Sequence, residues 1–141
     1  MNHRHRLDDT EKAAVKHRLR ERLVARPEVR FAYLHGSFLG SDSFGDIDVA
    51  LSVADGYPPP GDATTYELDL QALLERGTGL PVDVRLVDEA PPSFRYAVTR
   101  GEELFVRDRE AWATFRERAW NDYLDFAPLR EEALRDLARG A

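Results

Sequence analysis

Residues Leu34 to Leu51 read LHGSFLGSDSFGDIDVAL, and this stretch decides the fold of the chain. An apolar run ends there at Gly36 and Ser37, and a second apolar run follows in which Asp46 and Asp48 stand at alternate positions. The pattern predicts a strand, a tight turn and a second strand. Because side chains alternate between the two faces of a strand, both carboxylates lie on one face. We therefore expect one face of this strand to pack and the other to carry chemistry.

Two carboxylates this close on a rigid strand repel each other unless a cation lies between them. Oxygen ligands without cysteine or histidine suit a hard ion such as magnesium. By itself a Gly-Ser pair is a turn in most proteins, and an isolated Asp-x-Asp is often a solvent-facing pair on a strand. The two motifs in this order, directly after a strand, are far more specific, and together they predict a metal-dependent site.

A third carboxylate belongs to the next predicted strand, residues 82–87. Val82, Val84 and Leu86 alternate there as the packed side, so Asp83 lies on the opposite face. If this strand is a neighbour of the Asp46–Asp48 strand, three carboxylates converge. Arg85 shares the face of Asp83, where it is placed either to reach a phosphate or to form an ion pair with one of the acids.

These residues resemble the signature of the DNA polymerase beta-type nucleotidyltransferase superfamily: a strand ending in Gly-Ser, a short interval, then Asp-x-Asp followed by apolar residues. In a chain this short the resemblance is to the minimal nucleotidyltransferases, the MntA-like antitoxins paired with HEPN-domain toxins. The motif covers about a tenth of the chain, and the order of elements is compatible across roughly residues 10–107. The interval from Phe38 to Gly45 holds eight residues and no arginine. The commoner family interval is about ten residues, and many relatives place one or two phosphate-holding arginines there.

The resemblance implies an α/β (α+β) nucleotidyltransferase fold, a small mixed sheet flanked by helices, with further helices at the C-terminus. It implies transfer of AMP from ATP to a hydroxyl, with two magnesium ions held by Asp46, Asp48 and Asp83. In that scheme Asp83 either ligates the second ion or takes the hydroxyl proton. Gly36 and Ser37 would hold the β- and γ-phosphates of ATP.

The acceptor that the resemblance implies is a tyrosine of a HEPN-type ribonuclease toxin, which AMP would silence. The protein would then be an adenylyltransferase antitoxin, and its assembly is left open between a hetero-oligomer and a homodimer. Two other functions remain open: an antitoxin that masks its toxin by binding without catalysis, and a nucleotidyltransferase that acts on a small-molecule hydroxyl.

Composition sets further limits. A chain of 141 residues is one domain on size, which we divide into a nucleotidyltransferase core, residues 1–107, and a C-terminal helical extension of the same domain, residues 108–141. The net charge of −6 argues against direct binding of nucleic acid. The chain has no cysteine, no run of ~20 apolar residues and no apolar signal segment after its first residues, so we expect a cytoplasmic protein without a membrane span.

Helical periodicity predicts helices over residues 8–25, 66–76 and 91–100 and again from residue 109, with strands over 30–34, 46–53, 82–87 and 103–106. An aromatic stripe follows residue 109, formed by Trp112, Phe115, Ala119, Tyr123 and Phe126, with Trp120 beside it. This stripe either covers the core or docks another protein or a second copy of the chain. We also expect a last helix, with Leu129, Ala133, Leu134 and Leu137 as its apolar positions.

Overall fold

The computed structural model describes residues 4–59, 61–125 and 135–138 of the chain. Its elements, in chain order, are α1 (Asp9–Val24), β1 (Val29–His35), α2 (Ser37–Gly40), β2 (Ile47–Val53), α3 (Ala63–Thr78), β3 (Val82–Leu86), α4 (Pro92–Thr99), β4 (Glu102–Val106) and α5 (Arg109–Leu124). All four predicted strands are present, and the predicted mixed α/β class is confirmed. The short helix α2 replaces the simple tight turn expected after Gly36.

The four strands form one mixed sheet in the order β3-β2-β1-β4. β1 pairs antiparallel with both β2 and β4, whereas β2 pairs parallel with β3. β2 and β3 are therefore neighbours, as the predicted convergence of the three carboxylates requires. Their register places Asp48 directly beside Asp83.

Helix α1 begins where the sequence predicts. Asp8 is its N-cap and accepts a hydrogen bond from the Glu11 amide at 2.7 Å, while the Glu11 side chain accepts one from the Asp8 amide at 3.0 Å. This reciprocal capping box fixes the first turn. Val15, Leu19 and Leu23 are buried in the core, so the opposite side of the helix faces solvent.

Both faces of the sheet are packed, which corrects the expectation that one face of β2 is left for chemistry. Ile47, Val49 and Leu51 lie in one apolar layer with α1 and α3, as predicted. On the other face Ala50 is also buried, in a second layer with residues of α4 and α5. The alternation of side chains is correct, and Asp48, near the start of β2, lies outside this second layer.

The stripe of α5 contributes Trp112, Phe115 and Ala119 to that second layer. Trp112 is 7% exposed and stacks on Tyr33 with ring centroids 4.0 Å apart. Trp120 packs against Tyr96, and its indole nitrogen donates to the Thr99 hydroxyl at 3.1 Å. The interpretation of Trp112 as part of a docking face is therefore wrong, because it covers the sheet of its own chain.

Predictions beyond α5 are tested only in part. Phe126, assigned to the stripe, lies outside the described residues, as does most of the last predicted helix. Residues 135–138 are described and are helical. The division of the chain at residues 107 and 108 stays a prediction.

The outer edge of β3 is covered by three side chains of α3. Glu75, Gln71 and Glu67 accept hydrogen bonds from the amides of Val82, Val84 and Leu86, at 3.2, 3.0 and 2.9 Å. The acceptors are four residues apart and so share one face of the helix. They satisfy donors that an edge strand otherwise exposes, and they fix the strand that carries Asp83. None of the helices in the described ranges is long and apolar enough to cross a membrane.

Candidate active site

Three carboxylates converge where β2 and β3 begin. Asp46 directly precedes β2, Asp48 is the second residue of β2, and Asp83 is the second residue of β3. Each contributes one oxygen to a group in which all three atoms lie within 4.8 Å of one another. All three residues are partly buried. We call this group the carboxylate triad.

The triad has the chemistry of a site for a hard divalent cation. Its donors are all carboxylate oxygens, which magnesium prefers over nitrogen or sulfur. Three negative charges at this distance repel one another strongly unless a cation or a proton compensates them. The residues present therefore fit a magnesium site.

The electrostatics of Asp48 reflect this crowding. Burial, followed by the negative charges of Asp46 and Asp83, raises the pKa of the Asp48 carboxyl to about 7. Arg85 opposes the rise. Without a cation the triad thus holds a proton near neutral pH, and a bound cation would displace it.

Gly36 has a structural reason to be glycine that the sequence did not indicate. Its φ of +85° is a conformation that L side chains rarely adopt, and a Cβ atom there would collide with the Asp48 carboxylate. The sequence interpretation assigned Gly36 to close approach of a phosphate. In the structure the Asp48 carboxylate lies in the free space beside Gly36, so the Gly-Ser motif and the Asp-x-Asp motif are in direct contact, and the assignment of Gly36 to a phosphate stays a prediction.

Ser37 begins helix α2, and its side chain is partly buried. The loop that follows is pinned by two fully buried rings, Phe38 and Phe44, which meet edge to face with centroids 4.9 Å apart. Because these rings anchor both ends of the interval, Ser37 and Asp46 are held on either side of one short loop.

Arg85 forms the ion pair that the sequence left as one of two alternatives. Its Nε lies 3.7 Å from an Asp83 oxygen, and its side chain is 59% exposed. The guanidinium also lies 5.4 Å from the centre of the Phe94 ring. An ion pair this long and exposed is weak, so Arg85 remains free to reach a ligand.

His35 ends β1 directly opposite Asp48 in the register of β1 and β2. Its ring meets Phe94 edge to face with centroids 5.1 Å apart. Burial lowers the pKa of this imidazole, although Asp83 and Asp46 act in the opposite direction. A neutral imidazole packed on an aromatic ring indicates a structural role for His35.

An open groove of about 900 Å³ runs along the edge of β3, and of the carboxylate triad it is lined by Asp83 but not by Asp46 or Asp48. Asp83 and Arg85 line this groove, and Tyr57, Leu68 and Pro91 are among its apolar lining residues. Tyr57 and Leu68 are two of the most exposed large apolar residues in the part of the chain that the structure describes. A ligand in this groove would therefore contact Asp83 and Arg85.

Sequence reasoning missed one residue near the site. The ammonium group of Lys12, on α1, donates hydrogen bonds to two carbonyl oxygens of the loop between Ser37 and Asp46. The one available signal was composition, because Lys12 is one of only two lysines in a chain rich in arginine.

Solved structures of toxin–antitoxin complexes share this fold. A chain of a toxin–antitoxin complex with AMP-PNP aligns with a TM-score of 0.67 at 20% identity, over 87% of this chain and 98% of that one. A chain of the MntA–HepT complex aligns with a TM-score of 0.60 at 18% identity, over 93% and 99%. A chain of the tri-AMPylated Shewanella oneidensis HEPN toxin in complex with MNT antitoxin aligns with a TM-score of 0.62 at 18% identity, over 87% and 98%.

At these identities the likeness concerns the fold. A comparison with curated protein sequences finds no match. The sequence profile of the family described as "Polymerase beta, Nucleotidyltransferase" matches residues 17–110, which is more than half of the chain and includes the whole triad. This chain therefore belongs to the polymerase beta nucleotidyltransferase family.

Proposed function

We propose that the protein is a magnesium-dependent adenylyltransferase that acts as an antitoxin. It transfers AMP from ATP to a tyrosine hydroxyl of a partner HEPN-type ribonuclease toxin and so neutralises that toxin. The observation that carries this proposal is the convergence of Asp46, Asp48 and Asp83 at the ends of two neighbouring strands. A fold without chemistry has no need for three mutually repelling carboxylates at this point.

Asp46, Asp48 and Asp83 are the residues that would hold the magnesium ions. Bound there, magnesium would neutralise the charge that develops on the phosphate oxygens and would lower the pKa of the attacking hydroxyl. The raised pKa of Asp48 supports this assignment, because the exposed ion pair of Arg85 with Asp83 does not offset the crowded negative charge of the triad.

The reaction forms one bond and breaks another at the α-phosphorus of ATP. The acceptor oxygen bonds to that phosphorus, the bond to the β-phosphate oxygen breaks, and pyrophosphate leaves with its electron pair. Asp83 lines the groove that we assign to the acceptor. We therefore give it two roles: it accepts the proton of the attacking hydroxyl, and it is a metal ligand. Gly36 and Ser37 are the residues that would hold the β- and γ-phosphates of ATP, and Arg85 would offset their negative charge.

Two observations support a protein as the acceptor. The groove beside Asp83 is open along β3, and it is lined by exposed apolar residues as well as charges, which suits a polypeptide segment. One structure with the same fold contains a tri-AMPylated HEPN toxin in complex with an MNT antitoxin. A HEPN-type protein is accordingly the partner that we assign.

Label transfer tests the proposal. The partner encoded by a neighbouring reading frame is incubated with this chain, magnesium and ATP labelled either at the α- or at the γ-phosphate. Label from the α-phosphate alone in the partner supports AMP transfer. Label from the γ-phosphate would indicate phosphorylation, and a stable complex without label would indicate an antitoxin that only masks its toxin.

A further inference from the structure

The loop between Ser37 and Asp46 connects two parts of the candidate site and carries no cation of its own. Its residues Phe38 to Gly45 include neither lysine nor arginine. The tip is exposed at Gly40, Ser41 and Asp42. A ligand that contacts both ends of this loop binds more strongly when the loop is already held in one geometry, because ordering a loop on binding reduces affinity. What holds the loop in place therefore influences how strongly the site binds.

Lys12 supplies the missing positive charge from outside the loop. Its ammonium group donates to the carbonyl oxygens of Phe38 and Ser41, at 2.8 and 3.1 Å. It lies 5.3 Å from the centre of the Phe38 ring and 5.9 Å from that of Phe44. The carbonyls at the C-terminal end of the short helix α2 have no helical partner, and a partly buried cation satisfies them well.

Lys12 is itself held rigidly. Its amide donates to the Asp8 carbonyl at 2.9 Å within the first turn of α1. That turn is fixed by the capping box of Asp8 and Glu11, and the helix is tied to the core by Val15 and Leu19. The side chain therefore starts from a fixed point, and ordering it costs less than ordering a lysine on a loop.

The segment before α1 contacts the same loop. Arg4 donates to the Ser43 carbonyl at 2.7 Å and to the Ser43 hydroxyl at 3.3 Å. His5 and Phe44 exchange two backbone hydrogen bonds, at 2.8 and 3.0 Å. We call residues 4–12 the N-terminal strap. The strap precedes the residues that match the family profile, which begin at residue 17.

The other lysine of the chain has a different role. Lys16 lies one turn further along α1 and pairs with Glu102 of β4 at 2.7 Å. Both lysines lie on α1. Lys12 contacts the loop, whereas Lys16 pairs with β4, so Lys16 is a matched control for Lys12.

We infer that Lys12 is a positioning residue for nucleotide binding: it holds the loop between Ser37 and Asp46 so that both ends meet the triphosphate in one geometry, with Arg4 as a second anchor. This inference rests on the proposed nucleotidyl transfer. It assigns to the N-terminal strap, which lies outside the family profile, a role in nucleotide binding. Lys12 touches neither the nucleotide nor the reacting atoms, and it acts through the loop.

The test measures binding of α,β-methylene-ATP with magnesium by isothermal titration calorimetry, since this analogue cannot transfer AMP. Lys12→Met keeps the apolar stem over the Phe38 and Phe44 rings and removes the charge. We expect it to raise the Kd about tenfold with the stoichiometry unchanged. Lys16→Met, the matched control, keeps the wild-type Kd. A merely structural loss would instead lower the stoichiometry, because fewer molecules would be folded.

A second pair keeps the test informative if Lys12→Met does not fold. Arg4→Ala removes an exposed side chain and is expected to raise the Kd about threefold, whereas Arg6→Ala, two residues away on the same strap, leaves it unchanged. Wild-type Kd values for both Lys12→Met and Arg4→Ala would overturn the inference and leave the proposed function standing. No nucleotide binding by the wild type would overturn the proposed function, and the inference with it.

Discussion

The carboxylate of Asp48 lies in the space beside Gly36 that a Cβ atom would occupy. Gly36 directly follows β1, and Asp48 is near the start of β2. Two motifs that a loop separates in sequence are therefore packed against each other. This contact explains why the Gly-Ser pair and the carboxylate pair belong together. The geometry of one motif depends on the absence of a side chain in the other.

Gly36→Ala is expected to destabilise the protein by roughly 1–3 kcal/mol, because alanine is strained at a φ of +85° and its Cβ would displace Asp48. Nucleotidyl transfer should fall at least tenfold, since the triad is disturbed as well. Urea unfolding and a transfer assay at saturating magnesium measure the two effects.

Gly40→Ala is the matched control for this change. Gly40 lies on the same loop, and a Cβ atom there would meet nothing within 4 Å. The free energy of unfolding of the Gly40→Ala variant should stay within about 0.5 kcal/mol of the wild-type value. Equal losses of stability in Gly36→Ala and Gly40→Ala would show that the contact between Gly36 and Asp48 does not determine the effect.

Asp48→Asn is expected to abolish transfer and to stabilise the metal-free protein. The variant keeps the shape of the side chain but removes one of three repelling charges, in a group whose pKa is raised by burial and by its neighbours. After a discount for partial solvent exposure, the gain is roughly 1 kcal/mol at pH 8. Thermal melting in EDTA measures it. A variant that is less stable than the wild type under these conditions would contradict a functional assignment of Asp48.

The same residue predicts a pH dependence. The folded-state pKa of Asp48, about 7, lies above its ordinary value of 3.8. Between these values the folded protein holds a proton that the unfolded chain has released, so the stability due to this group is complete below pH 3.8 and is lost as the pH rises to about 7.

We therefore expect wild type and Asp48→Asn in EDTA to melt at similar temperatures near pH 4 and to separate by a few degrees as the pH approaches 7. Other titrating groups are common to both proteins and cancel in the comparison. Magnesium should reduce the separation, because it stabilises the ionised wild type. A separation that is constant across this range would refute the raised pKa.

The edge of β3 offers a test of how Asp83 is positioned. Gln71→Ala leaves the Val84 amide without its acceptor and should destabilise the protein by roughly 1–2 kcal/mol. Hydrogen exchange at Val84 should become faster at the same time. Asp69→Ala, an exposed change on the same helix, should leave both unaltered. Unchanged exchange in Gln71→Ala would mean that this hydrogen bond does not hold the strand.

Much of the fold could be predicted because local patterns were strong. Alternation identified β2 and β3, and it placed Asp48 and Asp83 on the correct faces. The capping residues of α1 marked its start. The neighbouring position of β2 and β3 could only be stated as a condition, since strand order depends on contacts between distant segments that periodicity does not encode.

The remaining features depend on tertiary packing. Helix α2 has four residues, too few to show a helical period. Ala50 is small and gave no sign that α5 covers its face of the sheet. The contact of Gly36 with Asp48 and the reach of Lys12 to the loop both join residues that are distant in sequence. No local sequence pattern predicts either contact.

Intact-mass spectrometry of the HEPN-type partner tests the central claim most directly. The partner is incubated with ATP, magnesium and either this chain or its Asp46→Ala, Asp48→Ala double variant, whose changes lie in a partly exposed group and should preserve the fold. We predict that the partner gains one or more AMP groups on tyrosine with the wild type and none with the folded double variant. A partner of unchanged mass that still co-purifies with the wild type, or an equal gain with the double variant, would contradict the assignment of AMP transfer to the carboxylate triad.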